Sequence, residues 1–283
     1  MANEQFGFNV KLTVNTGDGI LTIDSDNFEI HFNVEFSDDP TPSQTNIQIY
    51  NQNQTTINRF KKDQQITLSA GFSGDTGVIS NGKIKYIHPP VSEGGDNMLE
   101  LVCFDGTDYS HDNREFTDEK ENVKSNQIQV SFTAGVTARY VLETLSRAAN
   151  IGLQIVSIRN DKTYDEAYSA SGKPIDCLEE VAKFAESSLY YRRGELIVRD
   201  INAGYDESFT LSAISGLLSS PSREEDDDWQ GYSVQSIFNH RFATASIIDI
   251  SSRYVKGRFR VKSGNHSFDG VSAETNLEVQ EEA

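Results

Sequence analysis

From Phe28 to Phe36 every second residue is apolar: Phe28, Ile30, Phe32, Val34 and Phe36 are separated by Glu29, His31, Asn33 and Glu35. Side chains on a strand alternate between its two faces, so this segment is a strand with one packed and one wet side. The same period appears in Val10-Leu12-Val14, in Ile47 and Ile49, in Ile66-Leu68-Ala70-Phe72, in Ile84 and Tyr86, and in Leu99-Leu101-Cys103. The first ~110 residues therefore read as a β-barrel or sandwich. Gly71, Gly74 and Gly77 surround a polar patch where the chain can reverse, and Asn81-Gly82 is the dipeptide of a type I′ hairpin turn.

From Asp105 to Asn126 the sequence is polar and charged, which marks a loop, and a strand follows at Ile128, Val130 and Phe132. The period then changes. Val136 to Asn150 carries Val141, Leu142, Leu145, Ala148 and Ala149 on one side, with Thr137 placed to cap a helix. A second stripe, Ile175, Leu178, Ala182, Ala185 and Leu189, recurs at three-four spacing, and Pro174 sits where a first-turn proline is tolerated. With Leu153-Ile155 and a hairpin turning near Arg193-Gly194, the middle is a small α/β unit. Tyr232-Val234, Ile248-Ile250, Phe259-Val261 and Leu277-Val279 return to sheet. The expected fold is mainly β with a small α/β insert: an N-terminal β-barrel over 1–133 with its polar loop near 105–126, a two-helix α/β module over 134–201, and a second barrel over 202–283.

The 283 residues hold 25 Lys and Arg against 43 Asp and Glu, a formal net charge of −18. Phosphate binding draws on clustered cations, and only Lys61-Lys62 and Arg192-Arg193 approach that, so specific nucleic-acid binding is not expected. Like charge suits solubility, and it also suits a pore wall that must pass DNA without holding it. Two cysteines, Cys103 and Cys177, make no disulfide framework and read as small buried hydrophobes. No apolar segment follows Met1 and none approaches the ~18 residues of a membrane span, so synthesis in a cytoplasm without membrane insertion is expected.

No pattern in the chain demands catalysis, a cofactor or a metal. Ser80-Asn81-Gly82-Lys83 matches an S-x-x-K nucleophile pattern, but the pair is expected to flank a hairpin turn rather than to open a helix. His31, His88, His111, His240 and His266 are scattered singly, without ligand spacing. With 43 acidic residues, carboxylate pairs carry no signal for hydrolysis. The most unusual local run is Glu224-Glu225-Asp226-Asp227-Asp228-Trp229. It lacks the spacing of an EF-hand loop, and reads either as a solvated loop or as a contact with a basic partner anchored by the single tryptophan.

Ile47-Gln48-Ile49-Tyr50-Asn51, then Lys61-Lys62-Asp63, then Leu68-Ser69-Ala70-Gly71-Phe72 follow in the order seen in phage tail baseplate hub proteins. The segments Tyr168–Ile201 and Gly216–Val261 extend this resemblance in the same order, although the glycine after the lysines is missing and Phe72 stands for a tyrosine. The resemblance to the hub family, late-control-protein D-like tube-to-spike adaptors, implies a non-enzymatic virion protein. It implies a homotrimeric ring that joins a hexameric tail tube, or a distal tail protein, to a central spike or tip. It further implies contacts with baseplate wedge proteins and a channel for DNA ejection. The alternatives are a carbohydrate-binding β-protein, which would need an exposed aromatic platform, and a tail-associated cell-wall hydrolase.

Overall fold

The alternating segments become strands, and the computed structural model describes them within residues 7–93, 95–109, 116–117, 124–125, 127–226 and 229–281. The first eight are β1 (Phe8–Asn15), β2 (Ile20–Asp24), β3 (Ile30–Ser37), β4 (Gln44–Tyr50), β5 (Gln65–Phe72), β6 (Asp75–Ile87), β7 (Val91–Glu93) and β8 (Asp96–Asp105), with one helical turn α1 (Gln54–Ile57) after β4. Strand β3 buries Ile30, Phe32, Val34 and Phe36, as its period requires. The Asp105–Asn126 excursion lies largely outside the described residues, and contributes the paired two-residue strands β9 (Phe116–Thr117) and β10 (Lys124–Ser125).

The insert comprises β11 (Ile128–Phe132), α2 (Ala138–Ala148), β12 (Leu153–Ile155), β13 (Tyr168–Gly172), α3 (Pro174–Phe184), β14 (Ser187–Arg192) and β15 (Glu195–Asp200). Thr137 caps α2 by accepting from the Tyr140 amide at 3.3 Å, and Pro174 opens α3. Helix α3 stops before the end of its apolar stripe. Glu186 takes φ 54° and Leu189 belongs to β14, whose inward face happens to reach the same core one turn further on. The hairpin turns at Arg193-Gly194 with φ of 51° and 92°, the mirror-image turn a tight hairpin favours. Strand β11 pairs with β13, and its Ile128 and Phe132 pack with the helices.

The C-terminal strands are β16 (Tyr205–Ser212), β17 (Ser222–Asp226), β18 (Trp229–Ile237), β19 (Ser246–Ser251), β20 (Lys256–Phe268) and β21 (Ala273–Glu281). The architecture is mainly β with a small α/β insert, yet the two β ends share one 14-stranded sheet ordered β17-β18-β21-β20-β3-β4-β8-β6-β5-β1-β2, with β7, β16 and β19 attached beside that path. Strand β20 makes the join. Its Lys256–Arg260 half pairs with β19, its Ser263–Phe268 half pairs with β3, and a register shift at Lys262 bends the strand between the two lobes. The cores are interleaved too: Phe238 of the C-terminal lobe packs in the N-terminal core, 4.9 Å edge-on from Phe8, while Phe36 of β3 lies in the C-terminal core.

One expected turn is a strand interior. Asn81-Gly82 lies within β6, and the β5–β6 hairpin closes at Ser73-Gly74 instead. Gly82 serves close approach rather than a turn, because a Cβ there would collide with the Phe104 carbonyl of β8. Cys103 and Cys177 are both free and buried.

Candidate functional site

Residues directly opposite each other on paired strands share a face, so the registers define one wet surface across both lobes. Glu100 of β8 faces Gln48 of β4, and Gln48 faces His31 of β3. On the next row Asn46 meets Asn33, Asn33 meets Ser267 of β20, and Ser267 meets Glu274 of β21. Glu35, Asn265, Asn276 and Gln235 form a further row, followed by Ser37, Ser263, Glu278 and Ser233. These positions are amides, hydroxyls and carboxylates with a single imidazole, and none is lysine or arginine.

The surface is held rigid by its own side chains. Asn265 Nδ2 donates to Asn33 Oδ1 at 2.8 Å, Asn276 Nδ2 donates to Asn265 Oδ1 at 3.3 Å, and Gln235 Nε2 donates to Glu274 Oε2 at 2.8 Å. A cleft of about 850 Å³ lies along it, lined among others by Asn33, Glu35, Asp39, Asn265, Asn276 and Glu278. Gly264 lets the two lobes meet here, since a Cβ would strike the Asn276 carbonyl and the Phe36 ring. Such a wall repels phosphate and offers no cation for counterion release.

Behind the surface, the insert is wedged between the lobes through its Arg193-Gly194 turn. The buried carboxylate of Asp105 accepts from the Asn81 amide with one oxygen and from the Gly194 amide with the other, both at 2.9 Å. Burial pushes the Asp105 carboxyl up to about 6, against the lowering effect of those two amides and of Ser80. Tyr191 donates to the Thr107 carbonyl at 2.7 Å, and Arg193 donates to the carbonyls of His240 and Arg241 at 2.8 and 3.1 Å. Arg241 in turn pairs with Asp75 at 2.8 Å. His266, wholly buried at the β20–β21 pair, shares hydrogen bonds with Thr275 Oγ1 and the Phe242 carbonyl; burial drives its ring down to about 3, so it is neutral. The sequence marks the Arg193-Gly194 turn and names His240 and His266, but no pattern in it points to Asp105 or to the contacts that join these groups. Lys11, Lys83 and Lys85 stand beside the apolar positions of other alternating strands, so the cation-free rows follow only from which strands lie side by side.

Of the acidic run, Glu224, Glu225 and Asp226 belong to β17 and Trp229 opens β18. Glu224 and Glu225 are exposed on β17, the outermost strand of the sheet, and Asp226 stands opposite Trp229 in the backbone register. Asp227 and Asp228, and the side chains of Asp226 and Trp229, lie outside the described residues. Ser80 is buried on β6 and accepts from Thr45 Oγ1 at 2.9 Å, while Lys83 is exposed three residues along the strand, so the S-x-x-K match faces no turn and no helix and brings no pair together. Among the described residues no group of three or more His, Cys, Asp or Glu side chains gathers to hold a metal. No helix among the described residues is long and apolar enough to cross a membrane.

A sugar platform needs aromatic faces open to solvent. The aromatics gathered on the insert instead stack on one another: Tyr164 lies 4.6 Å from Tyr168 and 4.4 Å from Phe184, with Lys162 over the Phe184 ring at 5.7 Å.

No family model matches the sequence, and no curated protein matches it. Its fold is nevertheless that of phage tail proteins. A 43 kDa tail protein of prophage MuSo2 from Shewanella oneidensis superposes with a TM-score of 0.67 at 8% identity, covering 98% of each chain. A tail protein from Neisseria meningitidis gives 0.67 at 10% identity, covering 98% of this chain and 97% of that one. An E. coli component of the type VI secretion system, described as structurally similar to the T4 bacteriophage tail proteins gp27 and gp5, gives 0.62 at 11% identity over 90% of this chain and 74% of its own.

Proposed function

We propose that the chain is a structural, non-enzymatic hub of a phage or phage-like tail baseplate. Three copies form a ring that joins a hexameric tail tube to a central spike or tip and leaves a channel for DNA. The observation that carries this reading is the wet face of β8-β4-β3-β20-β21-β18, whose rows from Glu100 to Ser233 cross both lobes without a lysine or arginine. Two β-lobes in each of three chains would present six sheet faces to a sixfold tube, and a wall of carboxylates and amides would let a polyanion slide. The shared fold with phage tail proteins supports the same reading. In this reading the wet face lines the channel, the chain resides in the virion tail, and baseplate wedge proteins bind outside. The exposed Glu224 and Glu225 arm is offered to a basic surface on one of these partners.

The test is co-expression with tube and spike proteins, followed by light scattering and particle imaging. The expected result is a threefold ring with the Glu35, Asn265 and Glu278 face inward. Wild-type rings should not retain DNA, whereas rings carrying Glu35→Lys and Glu278→Lys should retain it in a salt-dependent manner. A strict monomer in the presence of both partners, or a ring with this face outward, overturns the proposal. Hydrolysis of purified peptidoglycan, abolished by one Asp or Glu substitution, would overturn its non-enzymatic part.

A further inference from the structure

The outer face of the β14–β15 hairpin carries Tyr190, Arg192, Ile197 and Arg199, while Leu189, Tyr191, Leu196 and Val198 point the other way into the helix core. Tyr190 and Ile197 pack against Tyr205 and Ala245 at the start of the C-terminal lobe. The guanidinium carbons of Arg192 and Arg199 stand 4.0 and 3.8 Å from the centre of the Tyr205 ring. Both guanidiniums therefore lie against this one ring. Arg260, on β20, enters the same seam and donates to Asp38 Oδ2 at 3.0 Å and to the Ala203 carbonyl at 3.4 Å.

Donors outnumber acceptors here. Arg192 is satisfied by Glu207 at 3.0 Å, by Ser246 and by the Thr244 carbonyl. The Tyr190 hydroxyl, Nη2 of Arg260, and Nε and Nη1 of Arg199 are shielded from solvent and have no partner among the described residues. Tyr190 is 0% and Arg260 1% exposed, so each brings a buried polar atom that ought to be bonded. Arg192 pairs with Glu207 and Arg260 with Asp38, whereas Nε and Nη1 of Arg199 meet no carboxylate among the described residues. One positive charge is left over in a desolvated seam, and arginine cannot shed its proton to remove it.

The geometry points to a small-anion site: a monovalent anion of halide size bound between Arg199, Arg260 and the Tyr190 hydroxyl, fastening the insert to the C-terminal lobe. A single negative charge closes the balance, whereas a phosphate dianion would leave an excess negative charge in the same seam.

The probe is chloride or bromide, titrated against gluconate at constant ionic strength with the full chain while the melting temperature is followed. A ligand that binds only the folded state raises that temperature along a saturable curve. Tyr190→Phe removes one hydrogen bond to the anion and should raise the half-saturating bromide concentration about tenfold. Arg199→Lys gives the same readout should Tyr190→Phe fail to fold, and Arg258→Gln, at a surface pair with Asp206, should respond like wild type. Anomalous scattering from bromide-soaked crystals should place the ion within hydrogen-bond distance of Tyr190 and Arg260. No halide dependence, an unchanged half-saturation in Tyr190→Phe and Arg199→Lys, or a water oxygen alone at the seam would overturn the site.

Discussion

Replacing Asp105 with asparagine should stabilise the protein at neutral pH and change little in acid. The carboxyl is 8% exposed, and burial raises it from 3.8 to about 6 despite the Asn81 and Gly194 amides. Between those values the folded chain holds a proton that the unfolded chain has released. The contribution of Asp105 to stability is therefore greatest in acid, falls as pH rises from 3.8 to 6, and is level above that. The gap corresponds to roughly 3 kcal/mol at about 1.36 kcal/mol per pH unit. Asparagine resembles the protonated acid in charge and shape. Urea melts should show Asp105→Asn more stable than wild type by up to ~3 kcal/mol at pH 8, with the gain largely gone at pH 4. The lost acceptor for one backbone amide subtracts about 1–3 kcal/mol if asparagine cannot restore it, and that loss is the same at both pH values. The diagnostic quantity is accordingly the difference between the two pH values. A variant whose stability relative to wild type is unchanged from pH 4 to 8, or falls at pH 8, would show that the two amides outweigh burial and that the carboxyl is not raised.

His266 has the opposite sign. With its ring lowered from 6.5 to about 3, the stability it contributes is complete above 6.5 and is lost as pH falls toward 3, so His266→Gln should flatten the acid limb of stability measured by urea melts. Phe238→Ala opens a cavity in the N-terminal core from a residue of the C-terminal lobe, and should cost about 3–5 kcal/mol in chemical denaturation, with both lobes losing stability together. Gly264→Ala forces a Cβ against the Asn276 carbonyl and the Phe36 ring; a loss of about 1–3 kcal/mol is expected, and equal stability would mean that the β3–β20 join can open at little cost.

Local periodicity made most elements legible: β3, β4, β8, both helices of the insert and the Arg193-Gly194 turn stand where spacing places them. Failures came where a short signal served two purposes. Asn81-Gly82 reads as a turn, but its glycine is needed for the passage of the Phe104 carbonyl. Leu189 continues a helical spacing because an inward strand residue can reach the same core as the helix before it. Alternation states which residues share a face of one strand and says nothing of the neighbour. The pairing of Asn33 with Ser267, 234 positions apart in the chain, and hence the wet face across both lobes, follows only from the fold. Asp105 escaped notice for the same reason, since its partners Asn81 and Gly194 come from separate modules.

The join between β3 and β20 also sets an order of events during synthesis. Strand β3 leaves the ribosome with its neighbour β4 close behind, but its other edge stays open until Ser263–Phe268 has been made. Until then the nascent N-terminal lobe lacks Phe238 in its core and exposes an alternating strand to any other chain translated nearby. Synthesis of β20 thus acts as the closing step for the first strands.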